Sequence, residues 1–288
     1  GAYGFWTAID TSGNCFTWGY NGYGQLGHGN TTSTATATQV SPQAGIKVAK
    51  AFPAGGNSYG QCYFMMANGR LYASGYNGYG AIGDGSTTDR TSPVVVSTVG
   101  LDTGKYVIDI FAPGGGYLDA TRMALTENGD VYGWGQNARG SVGVGSTNNI
   151  YTPQIVPELK FISQFTSSGT TTSTSYYYNS YMAVCHNNFE DRMKRINGTV
   201  KTAGYTNYSM GRYNLATNET TYKPVFLDNR ASGRIRYAWS AGYHTSNTQE
   251  LTRYCIDMDG RVWGWGYSNN GSTWNRTSIS DYLPHVGC

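Results

Sequence analysis

Short runs that alternate apolar and polar residues recur along the chain, and turn-forming dipeptides separate them. Around Asn128-Gly129, for example, residues 123–127 precede the dipeptide and residues 131–134 follow it. Period-two alternation over about four to six residues, bounded by such dipeptides, is typical of β-strands that pair as a hairpin. Asn-Gly and Asp-Gly also favour two-residue turns of type I′, in which both central residues have positive φ. One short helix is predicted, near residues 188–194.

The hairpin pattern recurs five times. Seven-residue segments that begin and end with glycine occupy residues 13–19, 69–75, 129–135, 198–204 and 260–266. A further strand is predicted ahead of three hairpins, at residues 106–111, 160–165 and 235–239, and the first unit lacks such a run. Small repeated antiparallel sheets cannot bury both faces alone, and packing them around an axis solves that problem. We therefore predict an all-β fold, a single β-propeller domain over residues 1–288 with five recognisable blades.

Residues 13–29 carry a longer motif, Gly-Asn-Cys-Phe-Thr-Trp-Gly-Tyr-Asn-Gly-Tyr-Gly-Gln-Leu-Gly-His-Gly, and residues 129–145 follow it too. This motif resembles the repeat of the regulator-of-chromosome-condensation (RCC1) family. The resemblance covers all five units and implies a β-propeller of four-stranded blades. Family propellers usually have about seven blades, within the general range of roughly four to eight. The five units therefore fit either a smaller ring or an incomplete chain.

Composition narrows the possible functions. Charged residues make up 13% of the chain, the formal net charge is +3, and glycine (40 residues) and tyrosine (25 residues) are abundant. So small a net charge gives no electrostatic basis for binding nucleic acid, and no apolar run approaches the roughly 18 residues of a membrane helix. We expect neither a nucleic-acid partner nor membrane insertion. The hydroxyl- and amide-rich composition suits a virion surface or the extracellular space.

Residues that could carry chemistry are better explained by the repeat. Residues 22–27 and 78–83 satisfy G-x-G-x-x-G, but no helix is predicted there to face a phosphate. Zinc spacing is missing among the histidines, which we expect at surface or turn positions: His28, His186, His244 and His285. The five cysteines form no C-x-x-C pair and are expected to be mostly free and buried. We predict no catalytic site, no metal and no cofactor.

Two insertions in the fourth unit depart from the repeat and are the predicted binding sites. The hydroxyl-rich insertion at residues 167–181 supplies the predicted ligand-binding residues Tyr176, Tyr177, Tyr178 and Tyr181. The charged insertion at residues 186–196 supplies the predicted protein-contact residues Glu190, Asp191, Arg192, Lys194 and Arg195. Tyrosine with small polar residues is the composition of antibody paratopes, and the same groups suit glycans. The insertions flank a strand predicted at about residues 181–185, so they emerge at its opposite ends.

Together these features predict a non-catalytic binding or structural module. Within the resembled family, the branch carried by phage and other surface proteins fits the composition best. The expected role is a component of a virus particle, a phage tail or fibre, that recognises a host-surface glycan or protein or docks to other virion proteins. The alternative is a secreted enzyme inhibitor or a cell-surface adhesion propeller.

Overall fold

The computed structural model describes residues 4–55, 59–97, 106–112, 120–168, 180–204, 219–225, 233–244 and 249–268. These residues form short strands joined by loops, together with one short helix. The fold is all-β, as the alternating pattern predicts. Within those ranges no helix is both long and apolar enough to cross a membrane.

The strands follow one another along the chain. They are β1 (Phe5–Ile9), β2 (Cys15–Gly19), β3 (Thr34–Val40), β4 (Val48–Ala54), β5 (Gln61–Met66), β6 (Leu71–Gly75), β7 (Arg90–Val95), β8 (Val107–Phe111), β9 (Thr121–Thr126), β10 (Asp130–Gly135), β11 (Ile150–Lys160), β12 (Gln164–Ser168), β13 (Ser180–Cys185), β14 (Thr199–Gly204), β15 (Glu219–Pro224), β16 (Ile235–His244), β17 (Gln249–Asp257) and β18 (Val262–Ser268). The helix α1 (Phe189–Lys194) lies between β13 and β14, where the sequence predicts it.

The strands form five sheets, one for each repeat unit. Three sheets have four strands, in the orders β4-β5-β6-β7, β11-β10-β9-β8 and β12-β13-β14-β15. Two have three strands, in the orders β1-β2-β3 and β16-β17-β18. Each glycine-bounded segment contributes the second strand of a hairpin, as β6 does when it pairs antiparallel with β5. The predicted five-unit organisation is therefore confirmed.

The hairpin turns differ from the predicted type I′ turns. Between β5 and β6 the loop has three residues, since the Met66 N–H donates to the Arg70 carbonyl at 2.8 Å. Only Gly69 in this loop has positive φ, at 75°, and Gly13 and Gly260 occupy the same position with φ of 79°. A three-residue hairpin needs a single residue in the left-handed region, which glycine adopts without steric cost. The prediction of type I′ turns is wrong at these hairpins.

The strand predicted at residues 160–165 is also displaced. β11 runs as far as Lys160, and β12 begins only at Gln164. Between them Phe161 has φ of 46°, and its N–H donates to the Gly129 carbonyl at 3.0 Å. This left-handed residue turns the chain out of one sheet and into the next, so the apolar run spans a bend. The runs predicted at residues 106–111 and 235–239 do form strands, β8 and β16.

The apolar core lies between the faces of neighbouring sheets. Phe5 of β1 and Cys15 of β2 belong to one buried cluster with Phe64 and Met66 of β5. Fully burying a side chain such as Phe64 contributes about 1.5–3 kcal/mol. As expected, four cysteines are free and buried: Cys15, Cys62, Cys185 and Cys255. Burial raises the pKa of the Cys185 thiol to about 11, so the thiol stays protonated near neutral pH.

The chain divides into two compact units. The first comprises residues 1–128, 132–136 and 148–155, and it holds the sheets formed by β1–β3 and β4–β7. The second comprises residues 129–131, 137–147 and 156–288, and it holds the sheets formed by β12–β15 and β16–β18. The sheet formed by β8–β11 contributes strands to both units. A single domain over residues 1–288 stays a prediction.

The glycine that closes each of the first three repeat segments is required by a close approach of two strands. Gly75 has φ of 113° and pairs with Gln61 across β5 and β6. A Cβ placed on Gly75 would lie 2.3 Å from the Gly60 carbonyl oxygen, and one on Gly135 would lie 1.9 Å from the Ala120 carbonyl oxygen. No side chain fits at such distances, so both the dihedral angle and the space demand glycine.

Replacing Gly75 with alanine is expected to destabilise the fold more than replacing Gly45. Both glycines have positive φ, but a Cβ on Gly45 meets nothing within 4 Å. Gly45→Ala should cost about 1–2 kcal/mol from the dihedral penalty alone. Gly75→Ala adds the penalty of overpacking and should cost roughly 2–5 kcal/mol. Denaturant unfolding of the two variants measures the difference, and equal losses would contradict the close-approach argument.

Candidate functional site

A buried asparagine organises the loop after the closing glycine in each of the first three units. The Asn77 Oδ1 accepts the Ile82 N–H at 2.9 Å, and its Nδ2 donates to the Ser86 carbonyl at 3.0 Å. Asn21 and Asn137 make equivalent bonds to residues five and nine positions later. All three asparagines are fully buried. Because a buried amide with satisfied donors and acceptor holds its partners rigidly, each loop is fixed at both ends.

Four tyrosines on and beside the first two of these loops come together, and we call Tyr23, Tyr59, Tyr76 and Tyr79 the tyrosine cluster. The ring centroids are 5.1 Å apart for Tyr23 and Tyr59, and 4.6 Å apart for Tyr59 and Tyr76. Tyr23 meets Tyr76 edge-on at 5.2 Å, and Tyr79 meets Tyr76 edge-on at 6.2 Å. All four rings are partly exposed. Their separations fall in the range of favourable aromatic pairs.

Glycine two positions after a tyrosine makes room for its ring. A Cβ on Gly78 would lie 2.2 Å from the Tyr76 hydroxyl oxygen, and one on Gly22 would meet the Tyr20 hydroxyl oxygen at the same distance. In the third unit the corresponding pair is Gln136 and Ala138, so the glycine is lost together with the tyrosine. The first two units are therefore built to carry tyrosine in this loop.

Gln61, the first residue of β5, ties two members of the cluster to the sheet. Its Nε2 donates to the Tyr59 carbonyl at 3.0 Å and to the Tyr76 carbonyl at 3.1 Å. Gln61 is 1% exposed. A single buried amide therefore fixes the backbone of both tyrosines, while their rings lie at the surface.

The cluster offers flat apolar faces and phenolic hydroxyls. Ring faces pack against the C–H surfaces of sugars and other apolar groups, and hydroxyls both donate and accept hydrogen bonds. Such groups bind a neutral polar ligand without acid–base chemistry. Across the part of the chain that the structure describes, no group of three His, Cys, Asp or Glu residues could hold a metal ion.

The predicted ligand-binding tyrosines of the fourth unit do not form an exposed face at Tyr181. Tyr181 lies in β13, is fully buried, and stacks on Phe165 with ring centroids 5.3 Å apart and an interplanar angle of 16°. Residues 181–185 of β13 are all buried, so Tyr181 is a core residue and we correct its assignment. Tyr176, Tyr177 and Tyr178 lie outside the described residues.

The predicted protein-contact residues lie on or beside α1. The Asn188 side chain caps the helix, accepting the Asp191 N–H at 2.8 Å. Glu190 and Lys194 form an ion pair with an N–O distance of 2.5 Å and project into solvent, whereas Asp191 is only 9% exposed. A solvent-exposed pair one helical turn apart is worth about 0.3–0.5 kcal/mol. Of these three predicted contact residues, Glu190 and Lys194 are therefore accessible to a partner, whereas the Asp191 carboxylate is buried.

The two arginines of the same group fasten the helix to its surroundings. The Arg192 Nε donates to the Ile162 carbonyl at 2.8 Å. Arg195 ends the helix with φ of 51°, and its guanidinium lies 4.8 Å from the ring centroid of Tyr237. Tyr237 is 38% exposed, so the cation–π contact lies at the surface. The structure thus places Arg195 beside an aromatic ring that sequence reasoning did not identify.

His186, expected at a surface or turn, is buried. Its Nδ1 lies 2.8 Å from the Ile196 carbonyl oxygen, and its Nε2 lies 2.8 Å from the Ser163 hydroxyl. A carbonyl can only accept, so Nδ1 carries the proton and Nε2 accepts from Ser163. Burial lowers the pKa of His186 below its ordinary value of 6.5, more than the Ile196 carbonyl raises it. The neutral imidazole therefore joins the two ends of the segment that contains α1.

The tyrosine cluster was missed by sequence reasoning, although a signal for it is present. The string Tyr-Asn-Gly-Tyr-Gly occurs at residues 20–24 and again at residues 76–80. It was interpreted as part of the structural repeat alone. The third copy reads Gln-Asn-Ala-Arg-Gly at residues 136–140, which shows that the tyrosines are dispensable to the repeat. The asparagine and the last glycine are present in all three copies, whereas the tyrosines are present in two. This difference indicates that the tyrosines serve a role other than maintaining the repeat.

His186 should make stability fall as the solution becomes acidic. Its pKa is lower in the folded chain, so the unfolded chain binds more protons as the pH falls through 6.5. The free energy of unfolding is thus highest above that pH and declines below it. His186→Asn, which keeps a donor for the Ile196 carbonyl, removes this term. Denaturant unfolding from about pH 7.5 to about pH 5 should show the wild type losing its advantage over the variant; a constant difference would contradict the assignment.

Comparison with known proteins identifies the repeat. The model of the regulator of chromosome condensation (RCC1) repeat matches residues 12–57 and 128–174. The chain is 34% identical over 155 residues to the human E3 ubiquitin-protein ligase HERC2, an alignment that covers 53% of this chain and 3% of that protein. It is 30% identical over 146 residues to the ultraviolet-B receptor UVR8 of Arabidopsis thaliana, covering 51% of this chain and 30% of the receptor. The chain thus spans less than a third of either relative.

Solved structures agree on the fold. Human WBSCR16 superposes with a TM-score of 0.62 at 16% identity, covering 92% of this chain and 60% of that one. Yeast RCC1 (Prp20), solved bound to Kap60, superposes with a TM-score of 0.60 at 16% identity, covering 92% of this chain and 54% of that one. Likeness at such low identity shows the fold and not the function. The two matched stretches are RCC1 repeats, and the five sheets and both solved structures agree with an RCC1-like β-propeller fold.

Proposed function

We propose that this chain is a non-catalytic binding module and that the tyrosine cluster is its ligand surface. The observation that carries the proposal is the convergence of four partly exposed tyrosine rings on loops fixed by buried amides. Loops on a rigid scaffold are the usual place for recognition. Rings held in position before binding lose little conformational entropy when a ligand arrives, which favours affinity.

The proposed ligand is a neutral glycan on a host surface. Tyr23 and Tyr59 are tilted by 32° with centroids 5.1 Å apart, so together they form a shallow aromatic surface. Sugars present C–H faces that pack on such rings and hydroxyls that bond to phenols. Only 13% of the residues are charged, which also suits an uncharged ligand better than an ionic one.

The proposed setting is a virus particle, as part of a phage tail or fibre, or the extracellular space. The low charge and the abundance of tyrosine and glycine support this setting. A secreted enzyme inhibitor or an adhesion propeller is the alternative, and both would also be binding modules. Cell adsorption assays separate recognition of a host surface from inhibition of an enzyme.

A second surface, around α1, is proposed to contact a protein. Glu190 and Lys194 project into solvent, and Met193 between them is 74% exposed. Methionine is enriched at protein–protein interfaces relative to the rest of the surface, so an exposed Met193 favours a protein contact over a sugar site. The candidates are other virion proteins or a host-surface protein.

Removing rings from the cluster is expected to abolish most binding without unfolding the chain. Tyr23 and Tyr79 are the members whose carbonyls Gln61 does not bind, so a Tyr23→Ala, Tyr79→Ala double variant spares that support. Binding to a glycan array and to whole host cells should weaken at least about tenfold, which corresponds to 1.4 kcal/mol. Tyr23→Phe should retain most binding if stacking dominates over the hydroxyl.

The control is Tyr106→Ala. Tyr106 lies in the same compact unit as the cluster, is 49% exposed, and is not a member of the cluster. This substitution should leave binding unchanged. If the wild-type chain binds no glycan, cell or virion protein, the proposed function is wrong. If the double variant binds as the wild type does, the chain is a binding module but the tyrosine cluster is not its ligand surface.

A further inference from the structure

An arginine of the third sheet reaches beneath the tyrosine cluster. Arg122 in β9 is fully buried, and its Nη2 donates to the Gln61 Oε1 at 2.5 Å. Its Nη1 donates to the Thr121 carbonyl at 2.9 Å, and its Nε donates to the Tyr63 hydroxyl at 3.2 Å. A guanidinium presents its donors in one rigid plane, so these bonds fix its orientation as well as its position.

Gln61 links the oriented guanidinium to the backbone of the cluster. The amide of Gln61 is planar, so a bond that fixes Oε1 also fixes the directions of the two Nε2 hydrogens. Those hydrogens point to the carbonyls of Tyr59 and Tyr76, at 3.0 Å and 3.1 Å. Without the arginine the amide could rotate about its last torsion, since terminal sp³–sp² torsions are broad. The guanidinium therefore selects the one amide orientation that serves both tyrosines.

The corresponding position of the third sheet shows what is special about Gln61. Thr121 occupies it, and its Oγ1 donates to the Gln136 carbonyl at 2.8 Å. A hydroxyl has one hydrogen and serves one carbonyl, whereas the amide of Gln61 serves two. The third unit also carries Gln136 in place of Tyr76. The side chain that binds two carbonyls therefore occurs in the repeat that carries tyrosines, and not in the repeat that lacks them.

The second arm of Arg122 supports the far end of the same loop. Tyr63, whose hydroxyl accepts from the Arg122 Nε, donates that hydroxyl's proton to the Ala81 carbonyl. The Trp134 Nε1 donates to the same carbonyl at 2.8 Å. Burial raises the pKa of the Tyr63 phenol, which keeps the proton in place for this bond. Arg122 thus holds the loop of residues 76–82 at its start through Gln61 and at its end through Tyr63.

We infer that Arg122 is the positioning residue of the tyrosine cluster: by holding Gln61 and Tyr63, it sets the backbone on which Tyr59, Tyr76 and Tyr79 are carried. The inference rests on the proposed function for its importance, because only a recognition surface needs the rings placed so closely. Arg122 contacts no ligand itself. Its effect on binding acts through the shape of the cluster.

The test compares Arg122→Met with Arg253→Met. Methionine keeps much of the arginine volume and removes every donor. Arg253 in β17 is an equally buried arginine, whose Nη1 donates to the Tyr181 carbonyl at 3.3 Å, so its replacement also removes a buried guanidinium without touching the cluster. Two quantities are measured for each variant: the NMR signals of the Tyr59 and Tyr76 rings, and binding to the glycan array.

Arg122→Met should shift both ring signals and weaken glycan binding by on the order of tenfold or more. Losses of that size are known for residues that orient the ligands of metal sites, which act in the same indirect way. Arg253→Met should lower the melting temperature similarly and leave both readouts unchanged. Arg122→Lys keeps the charge but cannot reach Gln61 and Tyr63 together. It should therefore shift the rings as methionine does, and it decides the matter by the same signals if the methionine variant does not fold.

A lower melting temperature with unmoved ring signals would overturn the inference and make Arg122 a purely structural residue. Equal ring shifts in the Arg122 and Arg253 variants would overturn it too. The ring signals are read without any ligand. If the wild-type chain binds no glycan, cell or virion protein, the proposed function fails on that result alone, while the ring signals still decide whether Arg122 positions the cluster.

Discussion

The structure depends on a buried asparagine that each of the first three loops places in the same position. Asn21, Asn77 and Asn137 each accept a backbone N–H five residues later and donate to a carbonyl nine residues later. A backbone N–H left buried without an acceptor costs about 1–3 kcal/mol. The asparagine therefore holds the loop in a single conformation, although its glycines could adopt many. The residues beside it inherit that shape.

Because the asparagine carries the loop, the neighbouring positions can change without loss of the fold. In the first two repeats the residue before the asparagine is tyrosine, and the glycine two positions after it leaves room for the ring. In the third repeat these two positions are glutamine and alanine. The same division holds beneath the loop, where Gln61 serves two carbonyls and Thr121 serves one. Stability and recognition are thus assigned to different residues of one repeat.

Local patterns predicted the fold well, and the contacts that build the candidate site poorly. Alternation and glycine spacing located the five hairpins and α1, because both reflect neighbours in sequence. Positive φ at Gly69 alone, rather than at Asn68 too, depends on loop length, which the dipeptide does not specify. The burial of Tyr181 depends on its stacking against Phe165, a residue of another strand. The tyrosine cluster joins two repeats, and no periodicity reports which residues of separate repeats meet.

The two proposed surfaces are held in place by different groups. The tyrosine cluster rests on the amide of Gln61, and that amide accepts a hydrogen bond from the Arg122 guanidinium. The α1 segment instead rests on His186, whose bonds to Ser163 and Ile196 require a neutral ring with the proton on Nδ1. Protonation of that ring removes the acceptor for Ser163 and places a charge in a buried site. Mild acid therefore loosens the α1 segment.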